Sequence, residues 1–170
     1  IKNYWSNNFK YHIKRMLLEK GITENTDYNL KYIHKIVDQD YINYNQFDAT
    51  SPLGRIFYEP DNQFIANYHA FLKWLYNEHL KFDFYFQTIP TIRFNCSGAR
   101  LVGEDKRLPF PRYHCDVDYG HPPQGINLWW AFTKNKQLGF SLSNLEESKK
   151  WYSDYNYNSK KFSEDSWNNE

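Results

Sequence analysis

Residues 113–133 read Tyr-His-Cys-Asp-Val-Asp-Tyr-Gly-His-Pro-Pro-Gln-Gly-Ile-Asn-Leu-Trp-Trp-Ala-Phe-Thr, the stretch of the chain densest in groups able to do chemistry. It opens on His114-x-Asp116. Successive side chains alternate between the two faces of an extended backbone, so this spacing puts His114 and Asp116 on one face and Cys115 on the other. An imidazole nitrogen and a carboxylate oxygen can then converge on one point. Together they make two of the three protein ligands of the facial triad that holds non-haem Fe(II) and leaves coordination positions open. A bare His-x-Asp is a weak signal, and it gains weight only from the sequence around it.

Outward from this run, the periodicity changes. Ile126 to Thr133 has the strongest strand pattern in the chain, and Leu138 to Leu142 reads as another strand. Tyr113 to Asp116 reads as the end of a short one. Upstream, Thr91 to Cys96 alternates apolar and polar, and Phe82 to Gln87 is aromatic and β-prone. Ser97 to Arg107, with Gly98 and Gly103, reads as a loop. Before Leu80 the period is helical. Trp5, Phe9, Ile13, Met16 and Leu17 fall on one face of a helix over Trp5 to Leu18, with Gly21 as its C-cap. Tyr28 to Tyr41 repeats the pattern with Leu30, Ile33, Ile36 and Val37. A turn follows at Ala49 to Gly54. Phe64, Tyr68, Phe71, Leu72 and Leu75 then line one face of a further helix that Asp61 can cap, after Pro60. Asn144-x-x-Glu147 is a helix-start pattern. From Ser153 onward the chain is rich in Asn, Ser, Asp and Tyr and carries weak order signals.

Helices first and strands second predict an α+β domain, with a helical layer packed on a β-sandwich or barrel. A single domain over 1–170 is expected: 1–80 mainly helical, 81–143 strands with the metal motif, and 144–170 helix and polar tail.

Composition narrows the function classes. The chain has 170 residues, enough to bury a core, and 20% of them are aromatic. Charged residues make up 24% and the net charge is +1, with no dense basic block, which argues against a dedicated nucleic-acid binder. The only cysteines are Cys96 and Cys115, too few for a disulfide framework, so both are read as reduced thiols of a cytoplasmic protein. No apolar run approaches the roughly 18 residues of a membrane helix, and no signal-peptide pattern opens the sequence.

The run from Tyr113 to Thr133, with Pro90-Thr91-Ile92-Arg93 upstream, resembles the core motif of the Fe(II)/2-oxoglutarate oxygenases. The resemblance is to the phytanoyl-CoA-hydroxylase-like and streptomycin-biosynthesis-type branch, where a His-x-Asp is followed by a Tyr-Gly-His-Pro turn and an Asn-φ-Trp strand. It covers residues 88–143. The resemblance implies a double-stranded β-helix, or jelly roll, with Fe(II) held by His114 and Asp116 near one mouth. It implies 2-oxoglutarate as cosubstrate and hydroxylation of a small metabolite. Asn127 and Trp129 share one face of the strand Ile126 to Thr133, and Asn127 is the expected polar contact in the pocket; a buried Asn bonded to backbone fits it equally well. Arg93 can hold an anionic group bidentately or pair with a surface acid. Tyr113 lines the pocket or packs beside it.

The sequence departs from the family pattern downstream. A second metal His, followed by an Arg or Lys that pairs with the far carboxylate of 2-oxoglutarate, is expected some tens of residues further on, and no His follows His121. The expectation is a jelly roll incomplete at its C-terminal side, with the distal ligand beyond Glu170. His121 is read as shaping the turn with Pro122 in preference to serving as the third ligand, and Asp118 as capping a turn in preference to coordinating or supporting the metal. His12, His34, His69 and His79 lie in helical segments and are read as structural. Two competing readings remain: a non-catalytic jelly-roll protein that binds a sugar or protein through Tyr119, Trp129 and Trp130, and a cupin-like metal enzyme that does not use 2-oxoglutarate.

Overall fold

A computed structural model describes residues 2–45, 50–102, 125–133 and 144–156. They belong to two compact units: Ile1–Val102 with Ala131–Asn135, and Gly103–Trp130 with Lys136–Glu170.

The first unit is helical. Helix α1 spans Lys2–Glu19, and its buried stripe is Trp5, Phe9, Ile13, Met16 and Leu17, the face that the spacing predicts. The helix stops at Gly21, whose φ of +70° is open to glycine and costly for other residues. There the Gly21 N–H donates to the Leu18 carbonyl and the Ile22 N–H to the Leu17 carbonyl, a Schellman closure of the last turn.

Tyr28 to Tyr41 is not the single helix that its periodicity suggests. Asn29 caps a 3₁₀ helix over Leu30–Lys35 by accepting from the Lys31 N–H, and after a turn the short helix α2 spans Gln39–Ile42. Leu30 and Ile33 are buried three residues apart, the spacing that a three-residue turn stacks on one side, while Ile36 is 44% exposed. A two-residue strand β1, Tyr44–Asn45, follows. Helix α3, Pro52–Arg55, starts from Ser51, with Pro52 at its first position, and runs into a 3₁₀ turn at Ile56–Tyr58 that buries Phe57. Gly54 packs close: a Cβ there would lie 2.9 Å from the Thr50 hydroxyl, on a stiff and buried side chain.

Helix α4, Asn62–Leu75, carries the other half of the core. Phe64, Tyr68, Leu72 and Leu75 are buried, and Phe71 and Trp74 meet Trp5 of α1 at ring separations of 5.6 and 5.9 Å. Phe9 is edge-on to both Phe64 and Phe71, and Phe132 packs against it at 5.7 Å. Such pairs add about 0.5–1.5 kcal/mol each to the area they bury. The helix runs into a π turn at Tyr76–Leu80 and ends where Lys81 takes φ 55°.

Asp61 joins the two long helices. One carboxylate oxygen accepts from the Phe64 N–H at 2.8 Å and caps α4; the other accepts from the Arg15 guanidinium of α1 at 2.6 Å. Partial burial disfavours the ionised carboxyl, but the Phe64 N–H and the Arg15 guanidinium outweigh it and hold Asp61 below its ordinary value. Stability linked to this group is therefore complete above the unfolded-state pKa of about 4 and is lost as pH falls through the lower folded-state value. Asp61→Ala is expected to cost about 1–2 kcal/mol through the cap and the bridge. Asp61→Asn keeps a capping oxygen, so it should cost less and flatten the acid limb. Urea midpoints taken from pH 6 down to pH 3 check both; an acid limb unchanged in Asp61→Asn would refute the assignment.

Beyond Lys81 the expected sheet does not form. Phe82 to Gln87 and Thr91 to Cys96 carry no regular secondary structure and make no ladder among the described residues. They are tied to the helical part by side chains: the Tyr68 hydroxyl donates to the Gln87 carbonyl and the Tyr44 hydroxyl to the Phe94 carbonyl, both at 2.9 Å. The sheet among the described residues is the parallel pairing of β1 with β2, Leu101–Val102, in the register Tyr44↔Leu101 and Asn45↔Val102.

In the second unit, Ile126 to Trp130 carries no regular secondary structure, and its residues Ile126, Leu128 and Trp129 are 69, 61 and 57% exposed. Its helix α5, Leu145–Asp154, is capped by Asn144, which accepts from the Glu147 N–H at 2.9 Å. The expected Leu138 to Leu142 strand lies outside the described residues. The expectation of a jelly roll beneath a helical layer is therefore corrected: the described residues are predominantly helical, and the expected strands among them form no jelly-roll sheet. Aromatic and β-branched residues favour strands because they fit a pleated surface half covered by neighbours; here Phe94 packs on Phe57 and Phe86 on Tyr68, with no paired strand alongside among the described residues.

Candidate functional site

Tyr113, His114 and Asp116 lie outside the described residues, as do Cys115, Asp118 and His121. Of the expected pocket residues, Arg93 is exposed in the first unit, and Asn127 and Trp129 are exposed in the second. The described residues therefore do not assemble the predicted site, and no group of three or more His, Cys, Asp or Glu side chains among them is placed to hold a metal ion.

The structure does show how the chain leading to the motif is held. Segment 93–102 is clasped by residues 39–45. Gln39 donates through its side-chain amide to the Gly98 carbonyl at 2.9 Å. The Asn43 side-chain oxygen accepts from the Arg100 N–H at 3.0 Å, and the Tyr44 N–H donates to the Arg100 carbonyl at 2.8 Å. Arg93, Tyr44 and Cys96 sit together here. Burial raises the Tyr44 phenol above its ordinary value, the neighbouring Cys96 adds to the rise, and the Arg93 charge opposes it.

Burial pushes the Cys96 thiol up to about 11. An unperturbed thiol of pKa about 8.5 is partly thiolate at pH 8, so Cys96 should alkylate about a hundredfold more slowly than a free thiol. Iodoacetamide labelling at pH 8, with peptide mass mapping to separate Cys96 from Cys115, checks this. Labelling of Cys96 at the rate of a free thiol would contradict its burial.

A feature that the sequence reading missed is an open groove of about 600 Å³ beside α4, lined by His69, Leu72, Lys73, Tyr76, Asp83, Phe84, Tyr85 and Phe86. His69 and Lys73 are four apart and so share one side of α4. Phe86 stands edge-on to His69 at 5.7 Å, and Phe84 lies 6.5 Å from Tyr76. The available signal was the polar side of α4 followed directly by the aromatic run at 82–86. A second groove, of about 450 Å³, runs between α1 and residues 26–30, but its Lys14 already donates to the Thr26 carbonyl at 3.0 Å and covers the Tyr28 ring.

Comparison with family models, with curated proteins and with solved structures finds no match. Among the described residues no helix is long and apolar enough to cross a membrane.

Proposed function

We propose that the chain belongs to a non-haem Fe(II)/2-oxoglutarate-dependent oxygenase that hydroxylates a small metabolite. The observation that carries the reading is the ordered run His114-x-Asp116, Tyr119-Gly120-His121-Pro122 and Asn127-Leu128-Trp129. The donor chemistry fits the metal: one imidazole and one carboxylate, spaced to share a face of an extended segment, suit Fe(II) and leave positions for a bidentate cosubstrate. When bound, iron and 2-oxoglutarate supply the activation of O₂. The chain's own part is to hold His114 and Asp116 at a fixed spacing, with Asn127 and Trp129 as the proposed pocket contacts.

A second reading is a protein that binds its ligand without turning it over: Trp129 is 57% exposed, and an exposed aromatic ring suits a sugar or protein ligand.

Calorimetric titration of 2-oxoglutarate into the full-length protein, under anaerobic conditions with and without Fe(II), separates the two. Binding that requires Fe(II) supports the oxygenase. Absence of 2-oxoglutarate binding with Fe(II) present would sink it in favour of the binding protein.

A further inference from the structure

The groove beside α4 combines features that the oxygenase reading does not use. Its apolar side is built from Leu72, which is 8% exposed, and from the Phe84 and Phe86 rings, 6.4 Å apart. Tyr85 stands at the rim with its ring in solvent. Lys73 and Asp83 line the same groove, yet no ion pair joins them, and neither makes a hydrogen bond among the described residues. Pockets for small molecules commonly join such an apolar wall to a few convergent polar groups.

Two unpaired charges of opposite sign in one groove suit a ligand that carries one of each. A purely anionic ligand would meet Asp83, and a purely cationic one would meet Lys73. A zwitterion answers both, with its carboxylate toward Lys73 and its ammonium toward Asp83, and an apolar or aromatic side chain can then lie against Phe84 and Phe86. We propose that this groove binds a free amino acid with an apolar or aromatic side chain. The site lies wholly in the first unit and shares no residue with His114-x-Asp116.

The probe is L-phenylalanine, with 2-phenylethylamine, which lacks the carboxylate, and 3-phenylpropanoate, which lacks the ammonium. Saturation-transfer NMR on the full-length protein without iron or 2-oxoglutarate reads binding independently of any oxygenase activity. L-Phenylalanine should take up saturation, and each single-charge analogue should bind roughly tenfold more weakly, the usual loss when one charged hydrogen bond goes. Lys73→Gln and Asp83→Asn should each weaken L-phenylalanine by a similar factor. Both side chains are exposed, so the helical circular dichroism should stay at the wild-type level. No transfer to L-phenylalanine at millimolar concentration, or equal binding by wild type and both variants, would overturn the proposal.

Discussion

Phe64→Ala is expected to destabilise the first unit by about 3–5 kcal/mol, a large part of the roughly 5–15 kcal/mol that holds a typical domain folded. Phe64 is 0% exposed, and its ring lies 6.0 Å from Phe9 of α1 and 5.9 Å from Phe57 of the 3₁₀ turn. Truncation removes the ring that joins three elements and leaves a cavity between helices that are held by their ends. Arg15 and Asp61 keep α1 and α4 in place, so the hole cannot simply close. Phe64→Leu keeps most of the volume and should cost about 1–2 kcal/mol. Urea unfolding followed by far-ultraviolet circular dichroism gives both values. A Phe64→Ala loss under about 1 kcal/mol would mean that this aromatic cluster is not the core.

The other large effect belongs to the metal reading. His114→Ala and Asp116→Ala should each lower Fe(II) affinity by more than the roughly 10–100-fold typical of losing a partner that only supports a ligand. Cys115→Ala should leave it unchanged, because alternation along an extended segment turns that side chain away from its neighbours' face. Fe(II) titration under anaerobic conditions, with Co(II) as a spectroscopic substitute, reads all three. Equal losses in the three variants would indicate a structural defect, and full affinity in His114→Ala or Asp116→Ala would remove the proposed ligand set.

Much of the helical part was legible residue by residue. The stripe Trp5, Phe9, Ile13, Met16 and Leu17 needs only the helical period, and Gly21 needs only its freedom at positive φ. Asp61 and Asn144 are caps because a short side-chain oxygen can reach the N–H three residues on. Where several local signals compete, the sequence was a poorer guide. Tyr28 to Tyr41 has helical spacing, but Asn29 caps early and Leu30 and Ile33 bury with a three-residue repeat, so a 3₁₀ turn and a short helix replace one long helix.

The groove beside α4 was hard to read from the sequence. His69 was read as structural, and only the return of the chain through Asp83 to Phe86 makes a concave surface beside it. For His114 and Asp116 the sequence supplies the donor types and their spacing, and both lie outside the described residues.

The sequence by itself determined which residues of α1 and α4 turn toward the helical core, that Gly21 closes α1 and that Asp61 caps α4. These are consequences of period, cap chemistry and side-chain type, each set within a few residues of chain. The tertiary structure decided what became of the β-prone stretches. Phe82 to Gln87 and Thr91 to Cys96 have the composition of strands, but a strand is completed by hydrogen bonds to a neighbour that may be distant in sequence. Among the described residues, the Tyr68 hydroxyl of α4 and the Tyr44 hydroxyl of β1 hold these segments through single carbonyls, because backbone pairing depends on partners that no local pattern specifies.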